Sequence, residues 1–267
     1  MTVTEPAAAT PHLLSVDGLC AGYGKVTAID DINIHVDAGE GVGIVGHNGA
    51  GKSTLLSAIF GTQQIWRGNL VFDGKRANNA QCSENIGRGM AFLLADRYVF
   101  GSLTVLENLD IARSNAASGE IADRAMAKSR ELFPRIWERR TQRADTLSGG
   151  ERRMLGIAMV MMWEPRLLLL DEPSVGLAPA LVERLFGTLS QLREAGLAML
   201  CVEQNIPALL RLVDRVYIIR TGRLVGEEKA STLAKRREYW DLVLCGRFST
   251  EGRPLHVVVG GPGKRSH

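Results

Sequence analysis

The feature that most constrains the fold is a glycine-rich segment between a buried strand and a helix. Residues 46–53 read GHNGAGKS and fit the pattern GxxxxGK[ST]. The preceding run, residues 41–45, is almost entirely apolar, as in a strand buried on both faces, and residues 53–60 have a helical pattern. In this context glycines let backbone N–H groups converge on phosphate groups, and the helix start adds its positive end. The sequence therefore predicts a phosphate-binding loop.

Two side chains of this loop have distinct predicted roles. Lys52 is expected to reach the β and γ phosphates of a nucleotide, and the Ser53 hydroxyl to provide one ligand of Mg²⁺. The predicted nucleotide-binding residues here are Gly46, His47, Asn48, Gly49, Ala50, Gly51, Lys52, Ser53 and Thr54. Residues 41–46 also match GxGxxG, but these glycines lie within the strand and not in the turn after it, which argues against a dinucleotide site.

A second apolar run delivers two carboxylates at its carboxyl end. Residues 167–172 read LLLLDE. Because the carboxyl ends of parallel strands meet at one crevice, these carboxylates are expected beside the phosphate-binding loop. Asp171 is predicted to hold Mg²⁺ through water, and Glu172 to orient or polarise an attacking water.

A third motif precedes a helical run at residues 152–163. Its members are Leu147, Ser148, Gly149, Gly150 and Glu151. Ser148 is a predicted N-cap, and Glu151, three residues on, completes a capping box. The two glycines expose backbone N–H groups at a helix start, so a second phosphate contact is available.

The remaining pattern indicates one large α/β domain with an inserted subdomain. Residues 13–23 and 29–36 alternate apolar and polar positions, as antiparallel strands do, whereas later strands alternate with helices and favour a mostly parallel core sheet. Residues 104–145 have helical spacing and few β-branched residues, which predicts an inserted helical subdomain at about 88–150. We expect a domain over 13–246, with flexible segments at 1–12 and 247–267.

Composition and charge argue against several classes of protein. The 267 residues carry a formal charge of +3, which gives no support to nucleic-acid binding. The longest nearly apolar stretch, residues 154–163, is too short to span a bilayer, and the start of the chain does not read as a secretory signal. Four scattered cysteines are interpreted as small apolar fillers in a reducing cytoplasm. They are Cys20, Cys82, Cys201 and Cys245.

Together the three motifs closely resemble those of the nucleotide-binding subunits of ABC transporters, over about Leu13 to Glu228. The resemblance implies the P-loop NTPase fold of ABC ATPases, with ATP and Mg²⁺ as ligands. It also implies that ATP is sandwiched between two subunits, with residues 147–151 of one contacting the γ-phosphate held by the other. Tyr23 is assigned to stacking on adenine, although an exposed tyrosine at a strand end would need no ligand.

Three further short segments are similar to the corresponding segments of the LivF-type ATPases. Residues 171–179 read DEPSVGLAP, residues 202–205 read VEQN, and residues 138–140 read ERR. LivF-type proteins power uptake of branched-chain amino acids, and close relatives serve urea or short amides. The likeness implies a peripheral protein at the cytoplasmic face of the plasma membrane. Its implied partners are permease subunits, a second ATPase subunit and, indirectly, a solute-binding protein.

The sequence departs from the family at two of the predicted site positions, and Met159 stands where relatives usually have an Arg. Ala95 stands where relatives have a Gln or Glu that touches Mg²⁺, and the adjacent Asp96 is a candidate substitute. Gln204 stands where most ABC ATPases have His; LivF-like members commonly share this Gln. An amide can hydrogen-bond the γ-phosphate but cannot exchange a proton near neutral pH. The catalytic set implied by the resemblance is Glu172, Lys52 and Gln204.

Two hypotheses of different class follow from these departures. The first is an active ATPase that energises an importer, which the complete loop with Asp171 and Glu172 favours. The second is an ATP-binding regulatory subunit with weak hydrolysis, paired with an active sister ATPase. A soluble ABC protein acting on DNA or ribosomes is less favoured, because such chains usually carry two cassettes or long insertions.

Overall fold

The computed structural model describes residues 12–94, 99–114 and 118–235. The strands are β1 (Leu14–Tyr23), β2 (Val26–Val36), β3 (Gly41–Val45), β4 (Ile65–Phe72), β5 (Lys75–Arg76), β6 (Met90–Leu93), β7 (Leu167–Asp171), β8 (Ala198–Val202), β9 (Arg215–Arg220) and β10 (Arg223–Lys229). The helices are α1 (Lys52–Phe60), α2 (Cys82–Gly87), α3 (Val105–Ser114), α4 (Gly119–Leu132), α5 (Pro134–Glu138), α6 (Gly149–Met161), α7 (Pro179–Glu194), α8 (Ile206–Leu212) and α9 (Ala230–Lys235), with a 3-10 turn at Ala144–Thr146.

The strands form two sheets. The six-stranded sheet has the order β10-β9-β3-β8-β7-β6, and every pairing except β10 with β9 is parallel. The four-stranded sheet has the order β2-β1-β4-β5 and is antiparallel. The predicted mostly parallel core sheet and antiparallel β-portion are therefore confirmed.

The leucine run of β7 is buried on both faces of the core sheet. Leu168 and Leu170 join the apolar cluster under the helices α3, α6 and α7, whereas Leu167 and Leu169 join the cluster between the two sheets and α1. All four side chains have no exposed surface. A strand that faces apolar layers on both sides has no position for a polar residue until it ends, which is why Asp171 is its last residue.

Helices occupy the predicted helical region, and one strand falls inside its expected bounds. α3, α4 and α5 lie between residues 105 and 138. However, β6 lies within 88–150 and pairs in parallel with β7, so residues 90–93 belong to the core sheet. The signal for β6 is weak, because it is only four residues long and is fully buried. The expected bounds of the subdomain otherwise stay a prediction, and residues 1–11 and 236–267 lie outside the described part.

The glycines of the misleading GxGxxG match have a packing explanation. A Cβ on Gly41 would lie 2.8 Å from the carbonyl oxygen of Leu212, and one on Gly43 would lie 3.1 Å from the Leu209 side chain. Both contacts come from α8, which packs directly on β3. Glycine here admits a helix close to the strand.

The cysteines divide into two groups. Cys20 and Cys201 are buried free thiols, consistent with the filler interpretation. Cys82 is a free thiol that is only partly buried at the start of α2, so the filler interpretation stays a prediction for it. Cys245 lies outside the described residues. Among the helices that the structure describes, none is both long and apolar enough to cross a bilayer.

The first prediction concerns the core sheet. Leu169→Ala removes buried methyl groups between the sheets and is expected to lower the free energy of unfolding by about 2–5 kcal/mol. Denaturant unfolding followed by circular dichroism measures the change. Val26→Ala, at a side chain 70% exposed, is the control and should cost less than about 1 kcal/mol. Equal losses in both variants would contradict the assigned burial.

Candidate functional site

The phosphate-binding loop is shaped by two close backbone approaches. A Cβ on Gly46 would lie 2.2 Å from the carbonyl oxygen of Ile219, so only glycine lets the loop leave β3 beside β9. Gly51 has a φ of +98° and forms the N-cap of α1. A Cβ there would lie 2.6 Å from the carbonyl oxygen of Ala28 on β2. The loop is therefore held between the two sheets at the start of α1.

Lys52 lies under the loop. Its Nζ donates to the carbonyl oxygens of Gly46 at 2.9 Å and His47 at 3.1 Å, and the residue is only 5% exposed. Burial lowers the pKa of Lys52, while the carboxylates of Glu172 and Asp171 act in the opposite direction. A buried ammonium group facing two carboxylates is suited to compensating the charge of a phosphate group.

The loop and the end of β7 meet, as the sequence predicts. Ser53 Oγ donates to Asp171 Oδ1 at 3.0 Å, across 118 residues of sequence. Asp171 is 7% exposed, and burial raises its pKa, opposed by the Ser53 hydrogen bond. Hydroxyl and carboxylate oxygens are hard ligands of the kind that Mg²⁺ prefers, so this donor set fits the ion.

Glu172 adopts an unusual backbone conformation. Its φ is +45°, in the left-handed region that costs a non-glycine residue roughly 1 kcal/mol or more. Its N–H donates to the carbonyl oxygen of Val202 at 2.9 Å, which keeps the backbone on the neighbouring strand. The turn directs the carboxylate to Gln204, whose Nε2 donates to Glu172 Oε1 at 2.8 Å.

The third motif forms the predicted capping box. Ser148 Oγ accepts from the N–H of Glu151, and Glu151 Oε2 accepts from both the N–H and the hydroxyl of Ser148, at 3.0 and 2.9 Å. Ser148 itself is exposed. Burial raises the pKa of Glu151, but its hydrogen bonds with Ser148 and the charge of Arg139 bring that pKa below its ordinary value.

Arg139 is a further member of this cap. Its Nε lies 2.9 Å from Glu151 Oε1, so the carboxylate is shared between a cation and the helix N-terminus. In the sequence, the run ERR at 138–140 indicates only a likeness to the LivF-type ATPases. No spacing rule links it to Glu151, because one short 3-10 turn and no longer element lies between the end of α5 and the start of α6.

The other predicted site residues are Tyr23, Ala95 and Asp96. Tyr23 lies at the tip of the hairpin between β1 and β2 and is 58% exposed, so its ring is accessible. Ala95 and Asp96 lie outside the described residues. Just before them, the carbonyl oxygen of Leu94 accepts from Nη1 of the buried Arg153 at 2.9 Å. This anchoring contact is a second feature that motif reading missed.

Two groups of the predicted phosphate-binding residues therefore lie in separate places on one chain. The first gathers Lys52, Ser53, Asp171, Glu172 and Gln204 at the carboxyl ends of β3, β7 and β8. The second is the start of α6 with its exposed serine. In the described part of the chain, the hydrogen bonds of the Ser148 side chain go to Glu151 and not to the loop.

Comparisons with known proteins agree with this geometry. A family model described as ABC transporter matches residues 29–175. The high-affinity branched-chain amino acid transport ATP-binding protein BraG of Pseudomonas aeruginosa is 40% identical over 239 residues, which is 88% of this chain and all of that protein. A probable branched-chain amino acid transport ATP-binding protein LivF of Archaeoglobus fulgidus is 33% identical, covering 85% of this chain and 96% of the relative.

A solved structure has the same fold. It is described as the ADP conformation of an ATP-binding cassette of an ABC transporter. The TM-score is 0.76 at 26% identity, covering 85% of this chain and 94% of that one.

The second prediction concerns the cap of α6. The folded-state pKa of Glu151 is lowered, so the carboxylate stabilises the fold above its unfolded-state pKa, ordinarily 4.5, and this contribution is lost as the pH falls through the folded value. Unfolding midpoints of Glu151→Gln should therefore change less between pH 6 and pH 3 than those of the wild type, by roughly the worth of one cap. Glu131→Gln, at an exposed position of α4, should follow the wild-type curve. A Glu151→Gln curve parallel to the wild type would contradict the assignment.

Proposed function

Because this chain belongs to the ABC transporter family of ATP-binding subunits, we propose that it hydrolyses ATP to drive import of branched-chain amino acids. The observation that carries the hydrolytic role is the meeting of Lys52, the Ser53–Asp171 pair and the Glu172–Gln204 pair at one sheet edge. The names of the BraG and LivF relatives support the choice of substrate.

In the proposed reaction, water attacks the γ-phosphate in line with the leaving ADP oxygen. Glu172 orients and polarises that water, and the amide of Gln204 keeps its carboxylate in place. Lys52 stabilises negative charge on the β and γ phosphates when it exchanges its loop carbonyls for phosphate oxygens. The amide of Gln204 donates a hydrogen bond to Glu172 and does not act as a base near neutral pH.

Ser53 and Asp171 are the proposed ligands of Mg²⁺. The ion would neutralise charge that develops on the phosphate oxygens. Asp171 would bind through water and the Ser53 hydroxyl directly. At present the pair is held together by one hydrogen bond, which keeps both oxygens at the mouth of the loop. Asp96 stays a candidate for a further contact.

The second half of the site supports a head-to-tail pairing of two subunits. Residues 147–151 present an exposed hydroxyl and the start of a 13-residue helix, a favourable site for an anion. We propose that they contact the γ-phosphate bound by the partner ATPase subunit. We also propose that Tyr23 stacks on adenine, and that permease subunits hold the pair at the cytoplasmic face of the membrane.

The third prediction tests hydrolysis. Glu172→Gln keeps the size and the hydrogen bond to Gln204 but removes the carboxylate, so ATPase activity measured with the partner chains should fall by about 10²-fold or more. ATP should still bind, with a dissociation constant within about threefold of the wild type. Glu183→Gln, on the exposed face of α7, is the control and should keep full activity. Unchanged turnover in Glu172→Gln would favour the regulatory hypothesis.

The fourth prediction tests the substrate. Cells that lack this chain should lose uptake of radiolabelled leucine, and the wild-type gene should restore it. Lys52→Ala, which removes the proposed phosphate ligand, should fail to restore uptake although the protein is present on an immunoblot. Loss of urea uptake with normal leucine uptake would replace the amino acid by urea and leave the ATPase assignment intact.

A further inference from the structure

A buried carboxylate lies directly behind the Glu172–Gln204 pair. Glu203 follows the last residue of β8 and is 2% exposed. Its Oε2 accepts from the N–H of Ser174 at 3.1 Å, and its Oε1 accepts from the N–H groups of Gln204 at 2.7 Å and Asn205 at 3.0 Å. One side chain thus receives three backbone hydrogen bonds from two separate segments.

These two segments carry Glu172 and Gln204, whose side chains are hydrogen-bonded to each other in the candidate site. Ser174 belongs to the turn that begins at Glu172, whose carbonyl oxygen accepts from the N–H of Val175 at 3.2 Å. Gln204 is the next residue after Glu203 itself. The carboxylate of Glu203 therefore joins the backbone on either side of the 2.8 Å bond between Gln204 Nε2 and Glu172 Oε1.

The bonding of Glu203 differs from that of a structural ion pair. Among the described residues it forms no salt bridge, and the donors of its hydrogen bonds are all backbone N–H groups. A buried carboxylate is unfavourable unless such donors satisfy it, so its position and theirs are tightly linked. A small displacement of either segment would leave at least one lone pair or one N–H group unsatisfied.

We propose that Glu203 is a positioning residue for hydrolysis, which sets the distance between Glu172 and Gln204 without touching the nucleotide. The inference rests on the proposed function, since it assumes that Glu172 orients the attacking water. Displacing a catalytic group by about 1 Å is enough to reduce a rate by as much as about 10²-fold. Glu203 acts through the backbone of both segments.

The isosteric variant Glu203→Gln is suited to test this role. The amide oxygen of the new side chain can accept from one segment, but its NH₂ group faces an N–H donor of the other and cannot accept from it. One side of the bridge therefore opens while the volume is retained. Glu203→Asp keeps the charge but is one methylene shorter, so it reaches only one segment.

The experiment measures steady-state ATP hydrolysis by the full chain with its partner subunits. For Glu203→Gln we expect kcat to fall by about tenfold or more while KM for ATP stays within about twofold. Asp214→Asn is the matched control. Asp214 also accepts a backbone N–H, from Gly41 at 3.0 Å, but it lies at the opposite end of β3. The variant Asp214→Asn should lower the melting temperature and leave kcat unchanged.

A double-variant cycle separates positioning from general destabilisation. In a Gln204→Ala background the Glu172–Gln204 bond is already absent, so Glu203→Gln should reduce kcat by less than about threefold. An equal reduction in both backgrounds, or wild-type kcat in the single variant, would overturn the inference. If Glu203→Gln does not fold, Glu203→Asp takes its place in the same cycle. Failure of the proposed function is distinguishable, because then Glu172→Gln would also keep full turnover.

Discussion

The parallel pairing of β8 with both β3 and β7 is the constraint on which the candidate site depends. In this register Val202 lies beside Ile44 on one side and Asp171 on the other. Beyond this row, β3 continues through Val45 into the loop at Gly46, β8 continues into Glu203 and Gln204, and β7 continues into Glu172. A slip of one residue in either pairing would turn the carboxylates away from the loop. The hydrogen bonds between these strands thus determine which side chains lie together at the carboxyl edge of the core sheet.

Much of this arrangement could be predicted from the sequence because its signals are local. Continuous apolar runs predict β3 and β7, and the two motifs at the ends of these runs predict the loop and the carboxylates. The capping box could be predicted for the same reason, since Ser148 and Glu151 are three residues apart. The short elements β6, α8 and β10 carried too little pattern to be identified.

The residues that sequence reasoning missed depend on distant partners. In the sequence Glu203 is only one residue of the run VEQN at 202–205, and its contact with Ser174 spans 29 residues. Arg139 meets Glu151 through an irregular connection, and Arg153 meets a carbonyl oxygen 59 residues away. Gly41 and Gly43 show the reverse case, in which a motif match reflects helix packing and no ligand. Such relations follow from the tertiary fold and have no fixed spacing along the chain.

The hydroxyl of Ser148 is already engaged, and this has a consequence for how two subunits separate. Its proton goes to Glu151 of its own helix, and Arg139 keeps that acceptor ionised and close. In the proposed pairing, the phosphate bound by the partner subunit would compete with Glu151 for the hydrogen bond that the Ser148 hydroxyl donates. Closure of that pairing would exchange one acceptor of the hydroxyl for another, and loss of the terminal phosphate would return the hydroxyl to Glu151. In that pairing the contact with the phosphate would be reversible, because the capping box of α6 would again be available to Ser148.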